Sequence, residues 1–188
     1  MKSKTVRFYT LGCKVNQYET NAMAQDFIKH GYNVVHNEDA EIAIVNTCTV
    51  TNMSDRKSRQ ILHRIKKNMP NAIVVAVGCY VQVAKEKLES IPEIDLVLGN
   101  NEKENIIEYI EEYIKRKNKF NKVSDVMNQK EFIDFGAITY TEKTRATIKI
   151  QDGCDRFCSY CIIPYARGRV RSRKRESIIE EVKKIVNN

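Results

Sequence analysis

Long apolar runs are missing from this 188-residue sequence, and histidine is scarce. The longest apolar stretch, residues 72–77, is far shorter than the roughly 20 residues that span a bilayer, so the sequence predicts no membrane-spanning helix. Residues 1–9 mix Lys2, Lys4 and Arg7 with apolar residues and lack the apolar core of a signal peptide. Internal repeats and low-complexity tracts are missing as well. We therefore predict a cytoplasmic location.

Six cysteines stand out against these absences. The cytoplasm keeps thiols reduced, so metal binding or catalysis is a better prediction for them than disulfides. They fall into two groups, one spread along the chain and one tightly clustered. The spread cysteines are Cys13, Cys48 and Cys79, and the clustered cysteines are Cys154, Cys158 and Cys161.

Strand and helix patterns alternate over residues 1–117, which we predict to be the first domain. The predicted strands are residues 5–11, 32–35, 41–46, 72–77 and 95–98, and the predicted helices are residues 16–30, 52–68, 81–89 and 102–117. This order is typical of an α/β fold, here a doubly wound, flavodoxin-like parallel sheet with helices on both faces. A charged stretch then predicts a linker over residues 118–143. A second domain, residues 144–188, opens with a predicted strand over residues 146–151 and ends with a helix capped by Ser177.

Each spread cysteine comes just after a predicted strand. Parallel strands end at a shared edge, where such folds bind ligands, so we expect the three thiols to converge there. Gly12 and Gly78 precede two of them and leave room for a bulky inorganic ligand. Buried structural cysteines are the alternative, whereas zinc usually takes four ligands that often come as close Cys pairs. Four neighbouring side chains could hydrogen-bond to the sulfurs: Asn16, Asn46, Thr47 and Thr49.

The clustered cysteines have the spacing C-x3-C-x2-C and follow the predicted strand at once. Three thiolates at this spacing can bind three irons of a four-iron cubane and leave the fourth iron open to a small molecule. A zinc site is the alternative, but it needs a fourth ligand, and neither His nor Cys follows Cys161 in the sequence. The spacing therefore favours an iron–sulfur cluster.

The loop CDRFCSYC, with an aromatic residue before its last cysteine, resembles the signature of radical S-adenosylmethionine (SAM) enzymes. The resemblance implies that Cys154, Cys158 and Cys161 are catalytic residues that hold a SAM-binding [4Fe-4S] cluster, with Tyr160 near the SAM adenine. It also implies that residues 144–188 are the truncated start of a partial TIM-type barrel, its first β/α unit.

The longer stretch GCDRFCSYCIIPYARGRVRSR, together with TLGCKVNQYE, VNTCTVT and GCYVQ, resembles the methylthiotransferases of this class. In that family three N-terminal cysteines hold an auxiliary [4Fe-4S] cluster, the carrier or source of the inserted sulfur, and Cys13, Cys48 and Cys79 match those positions. TLGCKVNQYE and GCYVQ resemble the branch that modifies carbon 2 of N6-threonylcarbamoyladenosine at position 37 of tRNA. The isopentenyladenosine and ribosomal-protein branches are the alternatives. The implied partners are tRNA and an electron donor of the flavodoxin or ferredoxin type.

Arginines crowd the segment after the clustered cysteines. The chain carries a net charge of +8, which suits a polyanionic partner such as RNA, although many basic proteins bind none. Arginine forks bind phosphate in a bidentate manner, and a solvated charged loop is the alternative. For the chain as a whole, the alternative to an enzyme is a non-catalytic iron–sulfur and RNA-binding fragment. The residues predicted to contact RNA or SAM are Arg167, Arg169, Arg171 and Arg173.

Overall fold

The computed structural model describes residues 4–140 and 145–187 of the chain. Strands and helices alternate through the first part of the chain, residues 4–122, as the apolar runs predict. The elements are β1 (Thr5–Thr10), α1 (Lys14–Lys29), β2 (Asn33–Val34), β3 (Ile42–Thr47), α2 (Asn52–Asn68), β4 (Ile73–Gly78), α3 (Cys79–Val83), α4 (Lys85–Glu89) and β5 (Leu96–Leu98). A 3-10 helix (Asn101–Asn105) then leads into α5 (Ile106–Arg116) and β6 (Phe120–Lys122).

These six strands form one parallel sheet in the order β2-β1-β3-β4-β5-β6. The chain runs from β1 to β2 on one side and then crosses to β3 and onward on the other, so the order reverses between β1 and β3. This doubly wound arrangement confirms the predicted α/β, flavodoxin-like fold class. In such sheets the reversal opens a crevice at the carboxyl ends of the strands, where ligands bind.

Helices cover both faces of the sheet. On one face Leu62 and Ile65 of α2 and Leu88 of α4 pack against side chains of β3 and β4. On the other face Phe27 of α1 and Ile110 of α5 pack against the alternate side chains of the same two strands. Burial on both faces explains why β3 and β4 are continuous apolar runs in the sequence.

The sixth strand lies inside the predicted linker, residues 118–143, so that part of the prediction is wrong. Strand β6 pairs with β5, and its Phe120 packs edge-on against Tyr109 of α5. Its two other residues face solvent and are polar, as is usual at the edge of a sheet. Such a strand lacks apolar alternation, and its sequence therefore resembles a loop. The division of the chain into domains stays a prediction.

The second part of the chain, residues 123–140 and 145–187, contains mostly short elements. A 3-10 helix (Val126–Asn128) is followed by β7 (Gln151–Asp152), α6 (Ile163–Arg167), β8 (Arg171–Ser172) and α7 (Arg175–Val186). Strand β7 pairs antiparallel with β8, so the strand predicted over residues 146–151 is wrong in extent. A strand needs ladder hydrogen bonds, and within the described residues the only further one here runs from the N–H of Arg173 to the carbonyl of Ile150 (2.9 Å). That this segment begins a barrel stays a prediction.

Helix α7 begins earlier than predicted, with Lys174 rather than Ser177 at its cap position. Ser177 lies in the first turn, where its hydroxyl donates to Asp134 (2.5 Å) and accepts from Arg173 (3.1 Å). The helix buries Glu181 on its inner side. Its apolar residues are exposed at three positions, namely Ile179, Val182 and Val186.

The second part packs onto the first. Helix α6 lies against α3, and the side-chain amide of Asn100 donates to the carbonyl of Ala166 (2.6 Å) nearby. Ile138 is buried against Tyr18 and Ala22 of α1. None of the helices within residues 4–140 and 145–187 is both long enough and apolar enough to cross a bilayer.

Candidate iron–sulfur sites

The three spread cysteines lie at the carboxyl ends of neighbouring strands. Cys13 follows β1 and precedes α1, Cys48 follows β3, and Cys79 opens α3 directly after β4. Strands β1 and β3 flank the reversal of strand order, so two of the three cysteines stand at the crevice that this fold uses for ligands. Cys48 and Cys79 are buried, whereas Cys13 is exposed.

Asn16 ties the three cysteine loops together. Its amide nitrogen donates to the carbonyl oxygens of Leu11 (2.8 Å) and Thr47 (2.9 Å), in the loops that carry the first two cysteines. Its amide oxygen lies 4.0 Å from the sulfur of Cys79. The structure thus brings the three predicted loops to one place, which we call the first thiol site.

Two glycines allow the chain to pack closely at the first thiol site. Gly12 and Gly78 have φ values of +97° and +103°, where a side chain is disfavoured. A Cβ at Gly12 would lie 2.7 Å from the sulfur of Cys48, and a Cβ at Gly78 would lie 2.6 Å from the amide oxygen of Asn46. Any side chain at either position would therefore collide with the groups that surround the thiols.

The donor set of the first thiol site suits a multi-iron cluster better than a single ion. Within residues 4–140 and 145–187, no three Cys, His, Asp or Glu side chains lie close enough together to bind one metal ion. A four-iron cluster binds each thiolate through a different iron, so its ligands stand farther apart. Three free thiols carried by three loops that meet at Asn16 fit such a group.

Among the described side chains, Asn100 approaches a cysteine sulfur as a hydrogen-bond donor, and no sequence pattern indicated it. Its amide nitrogen lies 3.9 Å from the sulfur of Cys79. The amide and hydroxyl donors of Asn16, Asn46 and Thr47, which we predicted to bond to sulfur, donate to backbone carbonyls instead. The prediction is wrong for these three because nearby buried backbone carbonyls take up these donors.

The clustered cysteines lie on the loop between β7 and α6, which we call the second thiol site. A Cβ at Gly153 would lie 2.0 Å from the carbonyl oxygen of Arg169, so the start of the loop passes directly against the chain that follows α6. The N–H of Cys154 donates to the carbonyl of Gly168 (3.1 Å) at the same crossing. This crossing fixes one end of the loop.

The rest of the loop is tightly turned and open to solvent. The N–H of Cys161 donates to the carbonyl of Cys158 (2.9 Å), and Phe157 adopts a φ of +47°. Cys158 is exposed and the other two thiols are half-buried, which fits a cluster that a small molecule can reach. The side chain of Tyr160 is 91% exposed, and its predicted place beside the SAM adenine stays a prediction.

The arginines predicted to contact RNA or SAM lie mostly inside the protein. Arg167, Arg171 and Arg173 are each at most 6% exposed. The structure gives these three a different role from the predicted contact, because their guanidinium groups are enclosed by the protein and paired within it. Arg169 is exposed and stacks over the ring of Phe157 (4.8 Å), and its predicted contact stays a prediction.

Arg173 joins α7 to α1. Its guanidinium bonds to the carboxylate of Glu181, to the hydroxyl of Tyr18 (3.2 Å) and to the carboxylate of Asp134 (2.9 Å). Burial would lower the pKa of Arg173, but these partners raise it above its ordinary value. The residue therefore holds the second part of the chain against the first.

Arg167 belongs to a second, larger group of buried charges between the two parts of the chain. The carboxylate of Glu19, on α1, accepts hydrogen bonds from Arg167 (2.7 Å), Lys103 (2.5 Å) and Lys149 (2.7 Å). Asp152, just before the second thiol site, accepts from Arg167 (3.1 Å) and Lys149 (2.7 Å). We call these five residues the charge cluster.

The charge cluster touches both thiol sites. Arg167 donates to the amide oxygen of Asn16 (2.7 Å), the side chain that ties the first thiol site together. Through Asp152 the same guanidinium reaches the strand that leads into the second thiol site. One buried side chain therefore sets the position of one site relative to the other.

The pKa values of Glu19, Arg167 and Lys103 depart from their ordinary values in the folded protein. Burial would raise the pKa of Glu19, but the positive charges of Arg167, Lys103 and Lys149 outweigh it and hold that pKa well below its usual range. Burial would likewise lower the pKa of Arg167, but the negative charges of Glu19 and Asp152 raise it well above its usual range. Burial does lower the pKa of Lys103, because Glu19 offsets only part of that effect.

Comparison with known proteins gives relatives along nearly the whole chain. The chain is 45% identical over 179 residues to threonylcarbamoyladenosine tRNA methylthiotransferase MtaB of Aquifex aeolicus, over 95% of this chain and 44% of the relative. It is 41% identical over 184 residues to MtaB of Bacillus subtilis, over 97% of this chain and 41% of the relative. It is 32% identical over 195 residues to tRNA-2-methylthio-N(6)-dimethylallyladenosine synthase of Clostridium perfringens, over 100% of this chain and 43% of the relative. The chain spans about two fifths of the length of these curated relatives.

These similarities confirm the resemblance to the methylthiotransferases that the cysteine motifs indicated. A family model described as "Uncharacterized protein family UPF0004" matches residues 5–99. The matched region runs from β1 to the end of β5 and includes all three spread cysteines. With half of its residues covered by that match, the chain belongs to the UPF0004 family.

Proposed function

We propose that this chain is part of an enzyme that transfers a methylthio group to carbon 2 of N6-threonylcarbamoyladenosine at position 37 of tRNA. The observation that carries the proposal is a pair of three-thiol sites in one structure, linked through Arg167. Two [4Fe-4S] clusters fit these sites. The names of the relatives at 45% and 41% identity support the choice of substrate.

The chemistry of the bound groups is divided between the sites. When bound, the cluster at the second thiol site supplies the electron that cleaves SAM, and the cluster at the first thiol site carries or supplies the sulfur. The clustered cysteines hold their group on a loop whose outer side faces solvent, which leaves room for SAM and the nucleotide. The spread cysteines hold theirs in the crevice of the sheet, with Cys13 at its exposed face.

The remaining residues of the two sites orient and protect them. Arg167 and Asn16 fix the two thiol sites relative to each other, so that radical and sulfur chemistry occur at a set separation. Asn100 directs an N–H toward the sulfur of Cys79 and so tunes the group that it ligates. We further propose that SAM binds beside Tyr160, that a flavodoxin- or ferredoxin-type protein donates the electron, and that the enzyme is cytoplasmic.

The two thiol sites should each account for half of the bound iron. Anaerobic reconstitution of the chain is expected to load about eight irons and eight sulfides, as two four-iron clusters. Alanine at all three spread cysteines should remove about half of this iron, and alanine at all three clustered cysteines should remove the other half. Iron and sulfide assays with electron paramagnetic resonance of each triple variant measure this. Stoichiometric zinc with little iron would sink the proposal.

The substrate is tested by tRNA nucleoside composition. Deleting the gene that encodes this chain should abolish 2-methylthio-N6-threonylcarbamoyladenosine and leave its precursor to accumulate. Complementation with the Cys158→Ala variant should fail, whereas the wild-type gene should restore the nucleoside. Liquid chromatography with mass spectrometry of digested tRNA gives the result. An unchanged amount of the methylthio nucleoside in the deletion strain would refute the substrate assignment.

Isopentenyladenosine is the second candidate substrate, because one relative supports it, and the same nucleoside analysis tests it. The dimethylallyladenosine synthase of Clostridium perfringens matches the full chain at 32% identity, so the two cysteine sites alone do not choose between the adenosines. If the deletion strain loses the methylthio group from isopentenyladenosine instead, the reaction class holds and the substrate changes. The higher identity to the MtaB relatives favours threonylcarbamoyladenosine.

A further inference from the structure

Helix α2 carries positive charge that its own sequence does not balance. Its one acidic residue is Asp55. Leu62 and Ile65 turn toward the sheet, so the opposite side of the helix faces solvent. The basic residues of the helix are Arg56, Lys57, Arg59, Arg64, Lys66 and Lys67.

Some of these cations have partners inside the first part of the chain. Lys66 pairs with Asp95 (3.1 Å), and Arg59 bonds to the hydroxyl of Tyr80. The others lie on the exposed side together with a glutamine. We call this side the basic face, and it consists of Arg56, Lys57, Gln60, Arg64 and Lys67.

The basic face differs from the exposed sides of other helices in the same chain. Three of those helices pair a cation with a carboxylate one turn away: Lys85–Glu89 on α4, Arg116–Glu112 on α5 and Lys184–Glu180 on α7. Helix α2 has no acidic residue beyond its first turn, so most of its cations have no carboxylate one turn away on the same helix. Within the described part of the chain, the side chains of Arg56, Lys57 and Lys67 make neither an ion pair nor a hydrogen bond.

The basic face leads away from the first thiol site. Helix α2 starts four residues after Cys48, with Thr51 as its N-terminal cap. Val50 and Met53 are 56% and 70% exposed beside this start. Met53 also lines a shallow pocket of about 340 Å³ together with Ser54, Arg56, Lys57 and Gln60. Cations therefore begin beside the first thiol site and continue along the helix away from it.

We propose that the basic face binds the sugar–phosphate backbone of the tRNA substrate beside the first thiol site. The proposal rests on the proposed function, which requires an RNA to reach both thiol sites. The cations from Arg56 to Lys67 follow one side of a helix over about 16 Å, a linear array that suits a phosphate backbone. An acidic protein, such as an electron donor, is the competing occupant, and the regular spacing of the cations along the whole helix favours a phosphate backbone over it.

The test compares two triple variants of the 188-residue chain that lose the same charge. The first is Arg56→Gln, Lys57→Gln and Lys67→Gln, on the basic face. The matched control is Lys115→Gln, Arg116→Gln and Lys117→Gln, at the exposed end of α5. Fluorescence anisotropy of a labelled anticodon stem-loop transcript, titrated at several salt concentrations, measures binding. Circular dichroism melting verifies that both variants fold, which we expect because all six side chains are exposed.

The basic-face variant should bind the stem-loop at least about tenfold more weakly. The slope of the logarithm of its binding constant against the logarithm of salt concentration should become shallower. The change should be roughly one unit for each phosphate that the variant no longer neutralises. The α5 variant should bind within about twofold of wild type, since its charges lie away from the bound RNA. Equal weakening in both variants, or unchanged binding by the first, would overturn the proposal. So would a basic-face variant that keeps RNA affinity but loses affinity for a reduced flavodoxin.

Failure of this proposal can be told apart from failure of the proposed function. If the deletion strain loses its methylthio nucleoside while the basic-face variant binds RNA normally, the function stands and the surface assignment falls. If the basic face binds RNA while the nucleoside is unchanged in the deletion strain, the surface stands and the reaction falls. The two measurements share no variant and no readout.

Discussion

Glu19→Gln should lower the free energy of unfolding by about 3–5 kcal/mol, the usual cost of removing one partner from a buried ion pair. The substitution keeps the size and shape of the side chain but removes its charge. The side chains of Lys103, Lys149 and Arg167 would then face one another inside the protein without the carboxylate that bonds all three. We expect the second part of the chain to loosen first, because Lys149 and Arg167 hold it to α1.

Urea unfolding measures the loss of stability, and limited trypsin digestion measures the loosening of the second part of the chain. The urea midpoint should fall, and trypsin should cut the second part of the chain faster than in wild type. Glu180→Gln is the matched control, because Glu180 makes an exposed pair with Lys184 on α7 and its loss should leave the midpoint unchanged. A Glu19→Gln protein with wild-type midpoint and cleavage rate would show that the charge cluster does not stabilise the docking.

The pH dependence of the unfolding free energy, compared between wild type and Glu19→Gln, tests the role of this charge independently. The pKa of Glu19 is held well below its ordinary value of 4.5 in the folded state, so its contribution is complete above that pH and is lost as the pH falls further. The difference in unfolding free energy between wild type and Glu19→Gln should therefore shrink as the pH is lowered below about 4.5. A difference that stays constant down to strongly acidic pH would mean that Glu19 stabilises the fold by its shape rather than its charge.

The sheet and the first thiol site could be predicted because their signals are local. Strands β3 and β4 are buried on both faces, so their sequences are unbroken apolar runs, and a parallel sheet then places every strand end at one edge. The position of Cys13, Cys48 and Cys79 follows from that geometry without any knowledge of side-chain packing. Strand β6 was missed because an edge strand of polar residues resembles a loop.

The charge cluster could not be predicted because its members meet only after folding. Arg167 lies 148 residues from Glu19, and Lys149 lies 130 residues from it. In the sequence, Arg167 belongs to a run of arginines that looks like an RNA-binding segment, since nothing near it balances the charge. The burial of an arginine is decided by a partner on another element, and a single sequence does not show that partner.

Gly153→Ala should disable the second thiol site while leaving the first thiol site loaded. A Cβ at this position would lie 2.0 Å from the carbonyl oxygen of Arg169, and backbone on both sides leaves neither partner free to rotate away. The φ of +75° adds the cost of a left-handed conformation, about 1–2 kcal/mol for a residue with a side chain. The loop that carries Cys154, Cys158 and Cys161 must then shift at its fixed end.

Gly136→Ala is the control that separates the effect of the Cβ collision at Gly153 from the cost of a left-handed backbone. Gly136 has a φ of +73°, nearly that of Gly153, but a Cβ there would meet nothing within 4 Å. Both variants should share the left-handed cost, and Gly153→Ala should be less stable than Gly136→Ala by a further 1–3 kcal/mol or so from overpacking. Thermal unfolding of the iron-free proteins measures this difference. After reconstitution, Gly136→Ala should bind the full iron content and Gly153→Ala about half of it, because only the second loop is displaced. Equal stability and equal iron in the two variants would mean that the crossing at Gly153 does not set the geometry of the second thiol site.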